Sequence, residues 1–177
     1  MIAAEDFKLG LYVHWPFCQK RCPYCDFNVH EVGLDDPTDH QRWASALVRE
    51  LQHFAPLAQG RKLTSIFFGG GTPSLMQPET VAAVIRAAQA EIGFRNDIEI
   101  SLEANPTSSD ADRFTGYRDA GVNRLSLGVQ SLRDKALLAL GRQHSVEEAL
   151  AALEVARSVF DNISFDLMYA RPRQTFE

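Results

Sequence analysis

Short apolar runs alternate along the chain with segments in which apolar residues recur every three or four positions. The short runs predict β-strands, and they cover residues 9–14, 63–68, 98–103, 124–127 and 163–168. The helical spacing predicts α-helices between them, over residues 39–55, 78–92, 109–120, 132–140 and 146–159. Strand–helix alternation of this kind predicts an α/β fold with a parallel sheet and right-handed crossovers. A doubly wound sheet and part of a β/α barrel both satisfy the pattern.

Local signals at helix ends support these boundaries. Pro78 lies near a first helical turn, and Gly121 and Gly141 each follow a predicted helix as a stop. Ser145 and Glu148 have the spacing of a capping box, in which each side chain satisfies a free backbone N–H group of the other residue. We therefore expect the last predicted helix to begin immediately after Ser145.

The chain contains only three cysteines, Cys18, Cys22 and Cys25, in a C-x3-C-x2-C run. An odd and tightly clustered set cannot form a disulfide framework, and thiolates on one short loop select zinc, copper(I) or iron–sulfur. A structural zinc site usually takes two ligand pairs from separate segments, and the sequence has no second pair. A [4Fe-4S] cluster held by three cysteines leaves one iron open to a small molecule. A zinc site completed by His14 or His30 is the alternative, and three unrelated core cysteines are a further one.

Composition narrows the class of protein. The 177 residues are 45% apolar, which suffices for one domain with a core, and the net charge is −5. An acidic chain does not favour a nucleic-acid partner. No apolar run approaches the about 18 residues of a membrane span. We expect a soluble, cytoplasmic protein, because a reducing compartment suits free thiolates.

The residues with chemical potential follow the predicted strands. Ligands of parallel β/α folds bind at the carboxyl ends of the strands. In chain order these positions hold the cysteine loop, the segments 67–73, 103–106 and 128–130, and Asp166 within the fifth strand. All five are therefore predicted to lie on the same rim of the sheet.

Several side chains on this rim suggest a ligand. The three glycines at 69–71 let backbone groups approach a ligand closely, although a tight turn is an equal explanation. Glu103 would bury a carboxylate and needs a partner. That partner is either a ligand with hydroxyl or ammonium groups or an arginine such as Arg124. Gln130 offers neutral hydrogen-bond groups, and Arg142 offers a cation suited to a carboxylate.

Six motifs in this order resemble one family. They are Y-x-H-x-P-F-C-x3-C-x-Y-C-x-F, F-G-G-G-T-P, E-A-N-P, L-S-L-G-V-Q-S, G-R-Q-H and F-D-L-M-Y. Together they resemble the oxygen-independent coproporphyrinogen III oxidase-like radical S-adenosylmethionine (SAM) proteins. The resemblance implies an incomplete (β/α)6 partial TIM-like barrel, of which residues 1–177 hold about five β/α units.

The resemblance also implies cofactors and their ligands. Cys18, Cys22 and Cys25 would ligate a [4Fe-4S] cluster, whose open iron binds SAM and supports its reductive cleavage to a 5′-deoxyadenosyl radical. Tyr12, Gly70 and Glu103 would contact this SAM. The positions that match those of a second SAM in the oxidase are Tyr24, Gly71, Thr72, Gln130, Arg142 and Asp166.

One position divides the family. The decarboxylating oxidase continues its motif as Cys-x-Cys, whereas Asp26 and Phe27 follow Cys25 here. This departure resembles the HemW-type branch, which implies a haem chaperone that binds haem or porphyrin and delivers haem to an acceptor protein. The alternative is oxidative decarboxylation of coproporphyrinogen III to protoporphyrinogen IX. Either function would use an electron donor such as flavodoxin or ferredoxin.

The end of the sequence also carries an expectation. Pro172 follows the fifth predicted strand, and residues 175–177 look like the beginning of another helix. A parallel sheet that stopped there would expose an edge, which native proteins avoid. We therefore expect a radical SAM core truncated at its C-terminal end, with the C-terminal domain of the family absent from this sequence.

Overall fold

Five parallel strands form the central sheet of the computed structural model, which describes residues 8–33 and 38–175. Their order in the sheet is β1 (Leu9–Trp15), β4 (Leu63–Gly70), β5 (Phe94–Ala104), β6 (Arg124–Gln130) and β7 (Asn162–Leu167). Every neighbouring pair is parallel. The predicted parallel sheet is confirmed, with all five strands near their expected positions.

Two very short strands were not expected from the sequence. They are β2 (Phe17–Cys18) and β3 (His30–Glu31), which pair in parallel as a separate two-stranded sheet. This small sheet closes the base of the loop that carries Cys22 and Cys25. It is too short for any apolar periodicity, so the sequence pattern gave no signal for it.

Six helices connect the strands of the described chain. They are α1 (His40–Phe54), α2 (Pro78–Glu91), α3 (Ser108–Ala111), α4 (Phe114–Ala120), α5 (Asp134–Ala139) and α6 (Val146–Val159). Short 3-10 helices cover Ala55–Ala58 and Pro73–Leu75. The predicted helix over 109–120 is wrong in one respect, because it is divided in two. The Arg113 amide donates to the Asp110 carbonyl at 3.0 Å, and this tight turn ends α3 before α4 begins.

The predicted helix ends are confirmed. The Ser145 hydroxyl accepts from the Glu148 amide at 3.2 Å, and the Glu148 carboxylate accepts from the Ser145 amide at 2.8 Å. Gly121 and Gly141 have φ angles of 109° and 71°. Because glycine adopts this left-handed region without a side-chain penalty, the helices end where the sequence indicates.

Large apolar side chains fill the space between the sheet and its helices. Those that are essentially inaccessible to solvent include Trp15, Leu63, Ile66, Phe68, Leu102, Phe114, Leu125 and Leu127. The Trp15 ring stacks on His40 at 5.7 Å between centroids and meets the edge of Trp43 at 5.8 Å. Burial of each such side chain stabilises the fold by about 1.5–3 kcal/mol. The core therefore fixes the strands whose ends carry the candidate site.

A buried polar network supports the turn that follows β4. The Tyr117 hydroxyl lies 2.6 Å from the Ser74 carbonyl and 2.9 Å from the Met76 carbonyl. Arg113 Nη1 donates to the same Ser74 carbonyl at 2.9 Å. These contacts attach the 3-10 helix Pro73–Leu75 to α4, so the glycine-rich segment before it has a fixed support.

The described part of the sheet has β1 and β7 as its edge strands. On β7, Phe165 and Leu167 are half exposed. The helix start predicted at 175–177 falls largely on Phe176 and Glu177, which lie outside the described residues. Among the helices in the described ranges, none combines the length and the apolar character needed to cross a bilayer.

Asp110 should make the stability of the domain depend on pH. Its side chain is 4% exposed, and burial raises its pKa from 3.8 to about 6, despite a 2.8 Å hydrogen bond from the Thr107 hydroxyl. Between about pH 4 and pH 6 the folded chain therefore binds more protons than the unfolded chain. The free energy of unfolding should fall by up to about 3 kcal/mol as pH rises through this window.

Urea unfolding of the 177-residue chain, followed by the fluorescence of Trp15 and Trp43, measures this slope. The isosteric variant Asp110→Asn has no titratable group at this position and is the matched control. Its unfolding free energy should change less between pH 4 and pH 6 than that of the wild type. Parallel curves for the two proteins would contradict the assignment to Asp110.

Candidate functional site

An open cavity lies where the carboxyl ends of β4, β5, β6 and β7 meet the cysteine loop. It is lined by all of the predicted site residues except Tyr12, namely Cys18, Cys22, Tyr24, Cys25, Gly70, Gly71, Thr72, Glu103, Gln130, Arg142 and Asp166. The structure thus brings together eleven side chains or backbones that are up to about 150 residues apart in the sequence. Their roles towards a ligand stay predictions.

The cysteine loop is closed at its base by backbone hydrogen bonds. The His30 amide donates to the Pro16 carbonyl at 2.7 Å, and the Val32 amide donates to the Cys18 carbonyl at 3.0 Å. Cys18 is buried, whereas Cys22 and Cys25 are half-buried, and all three line the cavity. Burial raises the pKa of the Cys18 thiol, and the nearby Cys25, Glu31 and Cys22 add to this effect.

The two histidines of the zinc alternative have other contacts. His14 Nε2 lies 3.0 Å from the Asn28 carbonyl oxygen, and the His30 ring packs against Phe17 at 6.3 Å between centroids. Within the described ranges, no three His, Cys, Asp or Glu side chains are arranged to hold one metal ion. The donor set of three thiols on one loop suits a [4Fe-4S] cluster, which binds each thiolate through a different iron.

The glycine run lies against the backbone that leads into the cysteine loop. The Gly71 amide donates to the Trp15 carbonyl at 2.7 Å, and the Thr72 amide donates to the Phe17 carbonyl at 2.8 Å. A Cβ atom at Gly71 would meet the Phe17 carbonyl group. Gly70 has a φ of 117°, and a Cβ there would lie 2.7 Å from the Trp15 carbonyl oxygen. Both glycines are therefore required by close backbone approach.

Glu103 lies at the end of β5 without the arginine partner considered from the sequence. The sheet register places Ser126 beside Glu103 and Arg124 beside Ser101. Arg124 instead lies 3.7 Å from Glu99 and donates to Ser101 Oγ at 3.0 Å. The alternative pairing of Glu103 with Arg124 is therefore not formed. A carboxylate remains on the cavity wall.

The electrostatic environment of Glu103 is unfavourable for its charged form. Burial raises its pKa, the nearby Asp166 carboxylate raises it further, and a hydrogen bond from the Gly70 backbone lowers it. Glu103 on β5 and Asp166 on β7, the two strands that flank β6, therefore repel each other when both are charged. Such a pair is suited to a ligand that brings a cation or hydroxyl groups.

Tyr12 lies beside the site without lining the cavity. Its ring is 54% exposed and stacks on Phe67, with 6.1 Å between the centroids and 13° between the planes. The ring also lies against Gly69. Burial raises the pKa of the Tyr12 hydroxyl, and the charge of Glu103 contributes to this shift.

Arg142 contacts the cysteine loop, strand β6 and the loop that follows β5. One of its terminal nitrogens, Nη2, donates to Asn105 Oδ1 at 2.5 Å and to the Gly128 carbonyl at 2.9 Å. The other, Nη1, lies 3.7 Å from Cys22 Sγ. Asn105 in turn donates to Thr72 Oγ1 at 3.4 Å. Sequence reasoning did not single out Asn105, although it lies in the E-A-N-P motif.

Gln130 occupies a strained strand end. Gln130 has a φ of 65°, and its carbonyl accepts from the Met168 amide at 2.9 Å. The buried His144 contacts the Val129 carbonyl, with Nε2 at 3.1 Å. Non-glycine residues in this backbone region cluster at functional sites. The strain is consistent with a role for Gln130 in ligand contact.

Gly71→Ala should destabilise the domain by about 1–3 kcal/mol, because the new methyl group meets backbone that cannot move independently. Gly69→Ala is the matched control from the same glycine run. The nearest atoms to its Cβ would be the ends of the Tyr12 and Phe67 side chains, at 2.9 and 3.0 Å, rather than backbone. Urea unfolding of both variants measures the difference. Equal stability losses would show that the backbone approach at Gly71 is not the constraint.

Comparison with known proteins places these features in a family. The chain matches the radical SAM superfamily over residues 12–177. It is 44% identical over 172 residues to the haem chaperone HemW of Haemophilus influenzae, covering 96% of this chain and 45% of that protein. It is 46% identical over 172 residues to the mitochondrial radical S-adenosyl methionine domain-containing protein 1 of Mus musculus, covering 96% and 38%.

A solved structure confirms the predicted fold class. Coproporphyrinogen III oxidase (HemN) from Escherichia coli, a radical SAM enzyme, superposes with a TM-score of 0.81 at 33% identity, covering 95% of this chain and 38% of that one. The fold is therefore an incomplete β/α barrel, and the chain spans less than half the length of these relatives. The family match implies a [4Fe-4S] cluster and SAM as cofactors. Because this match extends from residue 12 to residue 177, the chain belongs to the radical SAM superfamily.

Proposed function

We propose that the full-length protein is a haem chaperone that holds a [4Fe-4S] cluster and SAM, binds haem, and transfers it to an acceptor protein. The observation that carries this proposal is the 44% identity with the haem chaperone HemW over 96% of the chain. Phe27 adds support, because this apolar side chain lines the cavity where the oxidase has a further cysteine.

In this proposal Cys18, Cys22 and Cys25 hold the cluster, which when bound supplies an electron to SAM. The closed base of the cysteine loop keeps the three sulfurs at one wall of the cavity. Glu103 accepts hydrogen bonds from the ammonium or hydroxyl groups of SAM. Gly70 lets the ligand approach the backbone, and the Tyr12 ring, which stacks on Phe67 beside Gly69, contacts the same SAM.

The remaining predicted positions line the same cavity. We assign Tyr24, Gly71, Thr72, Gln130 and Asp166 to its ligand-facing wall, as a second SAM in the oxidase would require. Arg142 is different, because Asn105 and the Gly128 carbonyl already accept from its guanidinium. The carboxylate of a second SAM would have to compete with these acceptors for the guanidinium.

An electron donor would approach the outside of the cysteine loop. Lys20 and Arg21 are exposed there and line the cavity mouth. Their positive charge suits an acidic one-electron donor such as flavodoxin or ferredoxin. We place the protein in the cytoplasm, where thiols remain reduced.

The second candidate is oxygen-independent coproporphyrinogen III oxidase activity. The specific observation in its favour is the TM-score of 0.81 at 33% identity with the Escherichia coli oxidase. Under this alternative, hydrogen abstraction from the propionate side chains leads to protoporphyrinogen IX. Phe27 distinguishes the two functions. The motif of the decarboxylating oxidase has a cysteine at this position, and this chain has none there.

The two functions can be separated with the full-length protein, reconstituted anaerobically with iron and sulfide. With SAM, a chemical reductant and coproporphyrinogen III, we expect no release of carbon dioxide. With haem, we expect a changed Soret band and transfer to an apo-haemoprotein. The Escherichia coli oxidase is the positive control for decarboxylation. Stoichiometric carbon dioxide release by this protein would overturn the chaperone proposal in favour of the oxidase.

Glu103→Gln should weaken SAM binding and leave the cluster in place, because it removes a charged acceptor from the cavity wall. A charge-assisted hydrogen bond contributes about 1.5–3 kcal/mol, which corresponds to about a tenfold to hundredfold change in Kd. Glu99→Gln is the matched control on the same strand, since Glu99 contacts Arg124. Anaerobic equilibrium dialysis with labelled SAM measures both. An unchanged SAM affinity in Glu103→Gln would remove Glu103 from the site.

A further inference from the structure

The sulfur of Cys22 has polar side-chain neighbours that a simple structural loop does not require. Arg142 Nη1 lies 3.7 Å from Cys22 Sγ, within the range of a hydrogen bond to sulfur. Tyr24 lies nearby: burial raises the pKa of its hydroxyl, and Arg142 and Cys22 shift it in opposite directions. The thiol stands here for the thiolate that would ligate iron. A thiolate is a stronger hydrogen-bond acceptor than a thiol.

The guanidinium of Arg142 is held rigidly in this position. Its Nη2 group donates to Asn105 Oδ1 and to the Gly128 carbonyl, and the Asn105 amide reaches Thr72. The Arg142 amide donates to the Leu137 carbonyl at 2.9 Å. Because these contacts fix the planar group, little further side-chain entropy is lost when Nη1 donates to sulfur.

One donor of the same guanidinium is left without a partner. Arg142 Nε is buried and forms no hydrogen bond within the described structure. An unsatisfied buried donor is costly, so the geometry of this side chain is not optimised for stability alone. A clamp that served only to join loops would not need to direct Nη1 at a cysteine sulfur.

We propose that Arg142 raises the reduction potential of the [4Fe-4S] cluster by donating an N–H···S hydrogen bond to the Cys22 thiolate. This inference rests on the cofactor of the proposed function. Reduction adds one electron and one negative charge to the cluster and its ligands. A nearby cation and a hydrogen-bond donor stabilise the reduced form more than the oxidised form, and hydrogen bonds to the sulfurs are among the factors that set cluster potentials.

The contact distinguishes Arg142 from Arg21, the other arginine that contacts the cysteine loop. Arg21 Nη2 donates to the Cys25 carbonyl oxygen at 3.2 Å. Both side chains bring one positive charge to the loop, but the described contact of Arg21 is to backbone oxygen. Arg21 therefore provides a matched control that separates charge from hydrogen bonding to sulfur.

The test is the midpoint potential of the one-electron couple in the full-length protein, reconstituted anaerobically and titrated without SAM. Electron paramagnetic resonance follows the reduced cluster. Arg142→Gln should shift the midpoint to a more negative value, and Arg21→Gln should shift it clearly less. Arg142→Lys, which keeps the charge but loses the planar fork, should lie between wild type and Arg142→Gln. Equal shifts in Arg142→Gln and Arg21→Gln, or no shift in either, would overturn the proposal.

A second measurement keeps Arg142 in place, so it does not depend on the folding of an Arg142 variant. Protein labelled with 15N-arginine should show a weak 15N hyperfine coupling to the reduced cluster, and this coupling should persist in labelled Arg21→Gln. Its absence from the wild type, or its loss in Arg21→Gln, would overturn the proposal. Iron and sulfide analysis distinguishes a failure of this inference from a failure of the proposed function. A reconstituted wild-type protein that holds no iron and sulfide would refute the cluster itself.

Discussion

The close packing of two backbone segments is the constraint on which the candidate site depends. The amides of Gly71 and Thr72 donate to the carbonyls of Trp15 and Phe17, so the end of β4 continues its pairing with the chain beyond β1. A side chain at position 71 would separate these segments. The cysteine loop begins immediately after Phe17, and therefore its position relative to the other strand ends is set by this contact.

The charges around the cavity are arranged asymmetrically. Glu103 and Asp166 come from β5 and β7, whereas the guanidinium of Arg142 contacts Cys22 and the Gly128 carbonyl of β6. Burial and mutual repulsion raise the pKa of Glu103. A ligand that carries an ammonium group and a carboxylate has complementary charges for such a cavity. The arrangement is consistent with SAM beside a cluster.

Much of the fold follows from the sequence, because parallel strands and their capped helices leave clear periodic signals. The position of the candidate site residues at one rim of the sheet was also predictable, because the carboxyl ends of parallel strands lie at the same edge. The small sheet of β2 and β3 was not, because two-residue strands have no periodicity. The contact between Arg142 and Cys22 joins residues 120 positions apart, and no local pattern encodes such a pair. Tyr12 illustrates a further limit, because strand position alone did not show that its ring packs on Phe67.

The central claim is that one loop and the neighbouring strand ends form a single cluster and SAM site. An anaerobic crystal structure of the full-length protein, reconstituted with iron and sulfide and soaked with SAM, tests it most directly. We expect a [4Fe-4S] cluster ligated by Cys18, Cys22 and Cys25, with SAM on its open iron and in contact with Glu103. A zinc ion on these cysteines, or SAM bound away from the strand ends, would contradict it.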